Sequence, residues 1–166
     1  MRYNTDKIRR QDRVLSKERA MELIKVAEYG VLSLCGKDGI PYGIPVNHIY
    51  DGEKSLYIHC APEGRKLEIL KENEDVSFCI VGRVNLLAEK FTTEYESVIL
   101  KAKAHINLSE NEKRKALTLL IDKFSPQYKE TGLKYMEKSF HRTEIIRLDI
   151  EEFSGKAKYV APLSKN

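Results

Sequence analysis

The sequence predicts a mainly β protein, an antiparallel barrel with peripheral helices. Three observations carry that reading. Short extended runs follow one another with short turns between: "GVLSLCG", "IPYGIPVNHIY" and "SLYIHC", joined by "KDG" and "DGEK". Two longer alternating runs, "DVSFCIV" and "YESVILKAKAHINL", come after a short helical stretch. No repeating strand–helix–strand pattern occurs, which argues against a doubly wound parallel sheet.

The elements can be justified in order. Ser16 can cap a helix that carries Ala20, Leu23, Ile24 and Ala27 at helical spacing and ends near Gly30. Leu15, just before the cap, can staple back onto its first turns. The three extended runs then read as an antiparallel meander. Pro41 and Pro45 cannot donate to a ladder, so part of the second run belongs at an edge or a bulge. "RKLEILKEN" is a short helix with Leu67, Ile69 and Leu70 on its apolar face and Asn73 at its end. In the long run from 95 to 108, Ser97, Ile99, Lys101 and Lys103 alternate against Val98, Leu100, Ala102 and Ala104. Ser109 and Glu112 form a capping box for a helix with Ala116, Leu119, Leu120 and Phe124 on one face. "SPQYKETGLKYMEKSFH" reads as one or two helical turns broken at Gly132. "TEIIRLDIEEF" is a last strand, and about 154–166 is a polar tail. One domain spans residues 1–166, with an N-terminal arm over about 1–15.

Composition narrows the function classes. With 42% hydrophobic and 33% charged residues, the chain reads as an ordinary soluble globular protein. No run approaches the roughly 18 apolar residues of a membrane span. The charged start "MRYNTDKIRRQDRVLS" lacks the apolar core of a secretory signal, so the cytoplasm is the expected location. A net charge of +4 with both signs interspersed does not point to nucleic acid. Cys35, Cys60 and Cys79 are odd in number and widely spaced, which argues against a disulfide framework or a zinc knuckle. His48, His59, His105 and His141 show no metal-ligand spacing.

One stretch carries chemistry. "HCAPEGRK" places Pro62, Gly64, Arg65 and Lys66 at the start of a helix. Two cations oppose the positive end of the helix dipole there, by about 0.3–1 kcal/mol each. Free N–H groups, a glycine and two cations form a phosphate site in chemical terms. The other reading of these residues is a solvent-exposed turn with two surface cations. His59 and Cys60 read by themselves as a strand-end histidine and thiol.

The blocks "AEYGVLSLCGKDGIPYGIPVNHIYDGEKSLYIHCAPEGRKLEIL", "YESVILKAKAHI" and "TEIIRLDIEEFSGKA" together resemble the pyridoxamine 5′-phosphate oxidase-related flavoproteins. Within them the chain is most similar to the branch that includes the nitroimidazole-resistance (Nim) proteins. The resemblance runs from about Arg9 to about Lys158. It implies an FMN-binding split β-barrel, antiparallel and Greek-key-like, in a homodimer with FMN at the interface. It implies electron transfer from NAD(P)H to a small acceptor such as a nitro compound, a quinone or a flavin. By resemblance, Pro45, Val46 and Asn47 run along the isoalloxazine ring. Ile58, His59, Cys60 and Ala61 lie beside the ribityl chain and ring. Gly64, Arg65 and Lys66 hold the phosphate. Ser97 and Val98 reach the flavin of the other subunit. His59 is the candidate catalytic residue. The Arg-x-Val-Leu-Leu-Lys and Arg-x-His motifs of the vitamer oxidases proper are not present, so the resemblance does not extend to vitamer oxidation. Related split barrels bind heme, for which His59, His48 or His141 would be the axial ligand. A non-catalytic flavin store is the third reading.

Overall fold

The computed structural model describes residues 1–160. The strands are β1 (Arg2–Tyr3), β2 (Tyr29–Cys35), β3 (Pro41–Asn47), β4 (Ile49–Tyr50), β5 (Ser55–Cys60), β6 (Asp75–Leu87), β7 (Thr92–His105) and β8 (Glu144–Lys158). The α-helices are α1 (Lys17–Val26), α2 (Arg65–Glu72), α3 (Glu110–Phe124) and α4 (Lys129–Ser139). The strands form one sheet in the order β3-β2-β6-β7-β8-β5-β4, and all neighbours in this path are antiparallel. The sheet is not closed. Its two edges, β3 and β4, are consecutive in the chain and joined through His48.

That topology corrects the simple meander. β2 and β3 form a hairpin, and so do β4 and β5, but β5 pairs with β8 rather than with β3. The extended run breaks at His48, and its second part crosses to the far edge. The prolines behave as their chemistry requires, since Pro41 and Pro45 lie on an edge strand whose one ladder partner among the described residues is β2.

The core sits between sheet and helices. Leu32, Phe78, Ile80, Val98, Leu100 and Leu148 are fully buried, one alternate face of each strand. Ala20 and Ile24 of α1 pack on that face. Ser16 accepts from Arg19 N at 3.2 Å and caps α1, which ends at Val26 rather than near Gly30. Gly30 already lies in β2, where a Cβ would meet Phe78 at 2.4 Å.

Three further expectations change. The N-terminal arm over about 1–15 is joined to the domain at both ends: β1 pairs in parallel with β8, Tyr3 packs on Phe153 at 5.0 Å, and Leu15 is buried in the core, while Lys7, Arg9, Gln11 and Asp12 between them stay exposed. The stretch from 154 to 158 is not tail but the end of β8, which stays paired with β7 to Lys158. The rest of that tail, from residue 161, lies outside the described residues. Finally, α4 runs unbroken through Gly132. A Cβ there would come within 3.0 Å of Ile121 Cγ2, so the glycine lets α4 close on α3 rather than ending the helix. Among the described residues, no helix is long and apolar enough to cross a membrane.

Candidate functional site

Asn47 at the end of β3 and His59 near the end of β5 meet at one cleft of about 590 Å³. The opposite wall comes from α3 and α4. Leu117, Leu120, Ile121 and Phe124 contribute from one helix, and Thr131, Tyr135 and Met136 from the other. Tyr128, in the short turn between these helices, stands at 64% exposure and Tyr135 at 63%. The volume lies within the roughly 300–1,000 Å³ typical of small-molecule sites.

The polar groups on the strand side are held in place. Asn47 Nδ2 donates to the Glu28 carbonyl at 3.0 Å. His59 pairs with Ile145 through the β5–β8 ladder, and its ring makes no hydrogen bond among the described residues. The ring is open to solvent on one side, yet partial desolvation by the surrounding protein lowers its pKa below the usual 6.5. At neutral pH His59 is therefore an uncharged imidazole that can both donate and accept a hydrogen bond. Burial pushes the neighbouring Cys60 thiol up, against a smaller opposing pull from Lys66, so it is not a thiolate nucleophile at neutral pH.

The second part of the site lies just downstream. Gly64 is the N-cap of α2, with φ 125° and ψ 163°. That backbone region is open essentially to glycine alone. The Gly64 carbonyl accepts from Leu67 N at 2.9 Å, which closes the first turn. Pro62 is consequently outside the helix rather than at its first position. Arg65 lies over the Tyr42 ring of β3, 4.6 Å from its centroid, which ties the start of α2 to the edge strand. Among the described residues, neither Arg65 nor Lys66 has a carboxylate within ion-pair distance. Two cations at a positive dipole end, without counter-charges, are a good receptor for a phosphate dianion.

The remaining candidate residues divide clearly. Pro45 is exposed on β3 and Val46 is half-buried there, while Ala61 is exposed after β5. Ile58 and Val98 point into the core and are fully buried, so their side chains are not available to a ligand. Ser97 and Val98 sit on β7, separated from β5 by β8. Within one chain they are not brought to the cleft. His48 is also fully buried; its Nε2 lies 3.2 Å from the Ile24 carbonyl, and its ring meets Phe78 edge-on. His141 is exposed in the turn before β8.

The helix that Ser109 opens is expected from sequence to cover the site or complete the dimer, and α3 does line the cleft; the share of the wall that α4 supplies is not expected from sequence. Leu117 and Ile121 widen the apolar face of Ala116, Leu120 and Phe124 toward the cleft.

A family model, pyridoxamine 5′-phosphate oxidase, matches residues 16–157. The chain belongs to that family. Among curated proteins, none matches the chain in sequence. Solved structures bear out the split-barrel fold expected for the pyridoxamine 5′-phosphate oxidase family. A candidate 5-nitroimidazole antibiotic resistance protein from Bacteroides thetaiotaomicron superposes with a TM-score of 0.69 at 22% identity, covering 87% of this chain and 86% of that one. The flavocytochrome Anf3 from Azotobacter vinelandii gives 0.72 at 23% identity, over 90% of this chain and 71% of that one. An FAD- and heme-binding protein from Mycobacterium smegmatis gives 0.71 at 21% identity, over 90% and 75%.

Proposed function

We propose that this chain is a cytoplasmic, FMN-binding homodimer that passes electrons from a reduced nicotinamide to a small acceptor, such as a nitro compound, a quinone or a flavin. The observation that carries the reading is the start of α2: a glycine-only backbone followed by Arg65 and Lys66, neither of which has a carboxylate within ion-pair distance among the described residues. These residues fit a flavin mononucleotide, whose phosphate is close to a dianion at neutral pH. The flavin, when bound, supplies the redox chemistry, and the protein supplies binding, orientation and electrostatics.

Each residue has a physical role in this reading. The Gly64 turn lets backbone approach the phosphate, and Arg65 and Lys66 neutralise it. β3 has one edge without a ladder partner, so backbone groups near Pro45, Val46 and Asn47 are free for the polar edge of the ring. His59 stays neutral near pH 7 and can hydrogen-bond an acceptor in the cleft. The β7 segment with Ser97 and Val98 would serve the partner subunit's site. Val98 would then act through its backbone, since its side chain is in the core.

The test is the spectrum of the purified protein followed by its Arg65→Ala, Lys66→Ala double variant. Flavin bands near roughly 370 and 450 nm, at least about a hundredfold weaker FMN retention in the variant, and an unchanged circular dichroism spectrum are expected. Undiminished FMN binding in the variant would sink the phosphate assignment. A Soret band instead would favour heme. The observation on that side is His59 facing an apolar cleft, whereas His48 and His141 do not line it. Flavin bands without NAD(P)H oxidation by any acceptor would point to a flavin store.

A further inference from the structure

The cleft between the strand ends and α3–α4 holds information beyond the cofactor reading. Of the whole chain, 33% of residues are Asp, Glu, Lys or Arg, yet none of the described residues lining the cleft is charged. Its polar groups are an amide, hydroxyls and one imidazole.

Several charges on the two helices are engaged elsewhere. Lys123, on α3, directs its ammonium to the carbonyls of Ala27 and His48, the latter at 3.1 Å. Asp122 pairs with Lys129 at 2.7 Å. Arg114 pairs with Glu137 across the two helices. Gly132 adds an independent sign that the shape of this wall matters. A glycine inside a helix costs about 1 kcal/mol relative to alanine. Here it sits where a Cβ would crowd Ile121, itself a cleft residue.

We infer that this cleft takes an uncharged, flat, largely apolar molecule and discriminates against anions of the same shape. An anion placed there would lose hydration without meeting a cation or a charged donor. A neutral aromatic ring would lie against Phe124, Tyr128 and Tyr135, with Asn47 and His59 available to one polar substituent. The inference rests on the flavoprotein reading only for the molecule's role as electron acceptor. It separates neutral nitroaromatics and quinones from phosphorylated or carboxylated acceptors.

The experiment titrates the protein as purified with 4-nitrobenzamide and 4-nitrobenzoate, by calorimetry at neutral pH. The two probes share a ring and nearly a shape, and differ in charge. The amide is expected to bind about tenfold or more tighter. Thr131 is exposed at the rim, so Thr131→Lys should shrink that ratio and Thr131→Glu should widen it. Mere structural damage would not move the two variants in opposite directions. Equal or tighter binding of the carboxylate, no binding of either probe, or a ratio unmoved by both variants would overturn the inference. Failure of the flavin reading looks different: a colourless protein that keeps the charge preference has the cleft but not the electron transfer.

Discussion

Arg19 on α1 clamps the carboxylate of Glu96 on β7 from two nitrogens, Nε at 2.9 Å and Nη2 at 2.8 Å. Glu96 is only 4% exposed, and the hydroxyl of Tyr159, just beyond β8, donates to the same carboxylate. One buried charge thus joins the first helix, a central strand and the end of the last one. The Arg19 hydrogen bond is the main reason the Glu96 carboxyl is held down at about 2 rather than 4.5. A carboxyl so depressed contributes on the order of 3 kcal/mol at neutral pH. Because the folded-state value is the lower one, that stability is complete above about pH 4.5 and drains away as the pH falls toward 2. Denaturant unfolding at pH 7 and pH 3 should show this loss in the wild type. Glu96→Gln should be weaker at pH 7 and lose less between the two.

His48 should govern the pH window just above. Burial, reinforced by the charge of Lys123, lowers its pKa to about 4 from 6.5. The unfolded chain therefore takes up a proton on this side chain that the folded chain refuses. Stability from this group declines as the pH falls from about 6.5 to about 4, by on the order of 3 kcal/mol in total. His48→Gln keeps a donor for the Ile24 carbonyl and has no such titration. Its unfolding free energy should slope clearly less between pH 6.5 and 4.5 than the wild type's, with the remaining slope coming from His59, whose pKa is also lowered. Equal slopes in the two proteins would show that His48 is protonated in the fold.

Much of this architecture was legible because local chemistry and fold agreed. Pro41 and Pro45 announced an edge strand, and the edge is where β3 lies. The alternation from Ser97 to Ala104 gave the buried face of β7 residue by residue. Ser109 caps α3 through Glu112 N at 3.3 Å. The reciprocal half of that box did not form, because the Glu112 carboxylate instead takes hydrogen bonds from Arg147 at 2.7 Å and Tyr57 at 3.1 Å. What stayed hidden was long-range. Nothing local to His48 says that the chain crosses there from one sheet edge to the other. Gly132 read as a helix breaker because its reason, Ile121 on another helix, is a tertiary contact. The cleft was half visible for the same cause: Asn47 and His59 were named, but the helical wall facing them depends on how α3 and α4 pack.

Gly64 supplies a prediction about stability that is separate from its role in binding. No atom outside its immediate chain neighbours lies within 4 Å of where a Cβ would be, so alanine meets no clash. Its cost comes from the backbone, held at φ 125° and ψ 163° where L residues are strained by about 1–3 kcal/mol. Gly64→Ala should lower unfolding free energy by that amount, or relax the turn and weaken FMN retention. A variant unchanged in both stability and FMN binding would show that the turn is not constrained in this conformation.

The outer end of the β6–β7 hairpin bears on the proposed dimer. Val84 and Leu86 are two residues apart on β6, so they share a face, and they are 59% and 72% exposed. Phe91 at the turn is 98% exposed and holds a left-handed φ of 49°. A non-glycine residue pays strain for that conformation, and a bare phenyl ring gains nothing from water. Contact with a second copy would bury all three and bring β7, with Ser97, toward a partner's site. Val84→Glu with Leu86→Glu places like charges on that face, at a cost to the monomer within about 0.5 kcal/mol for each exposed position. Sedimentation velocity should then shift from dimer to a 19.2 kDa monomer, with flavin occupancy falling in parallel. A wild-type monomer carrying flavin at full occupancy would remove the interface and leave the exposed hairpin to some other partner.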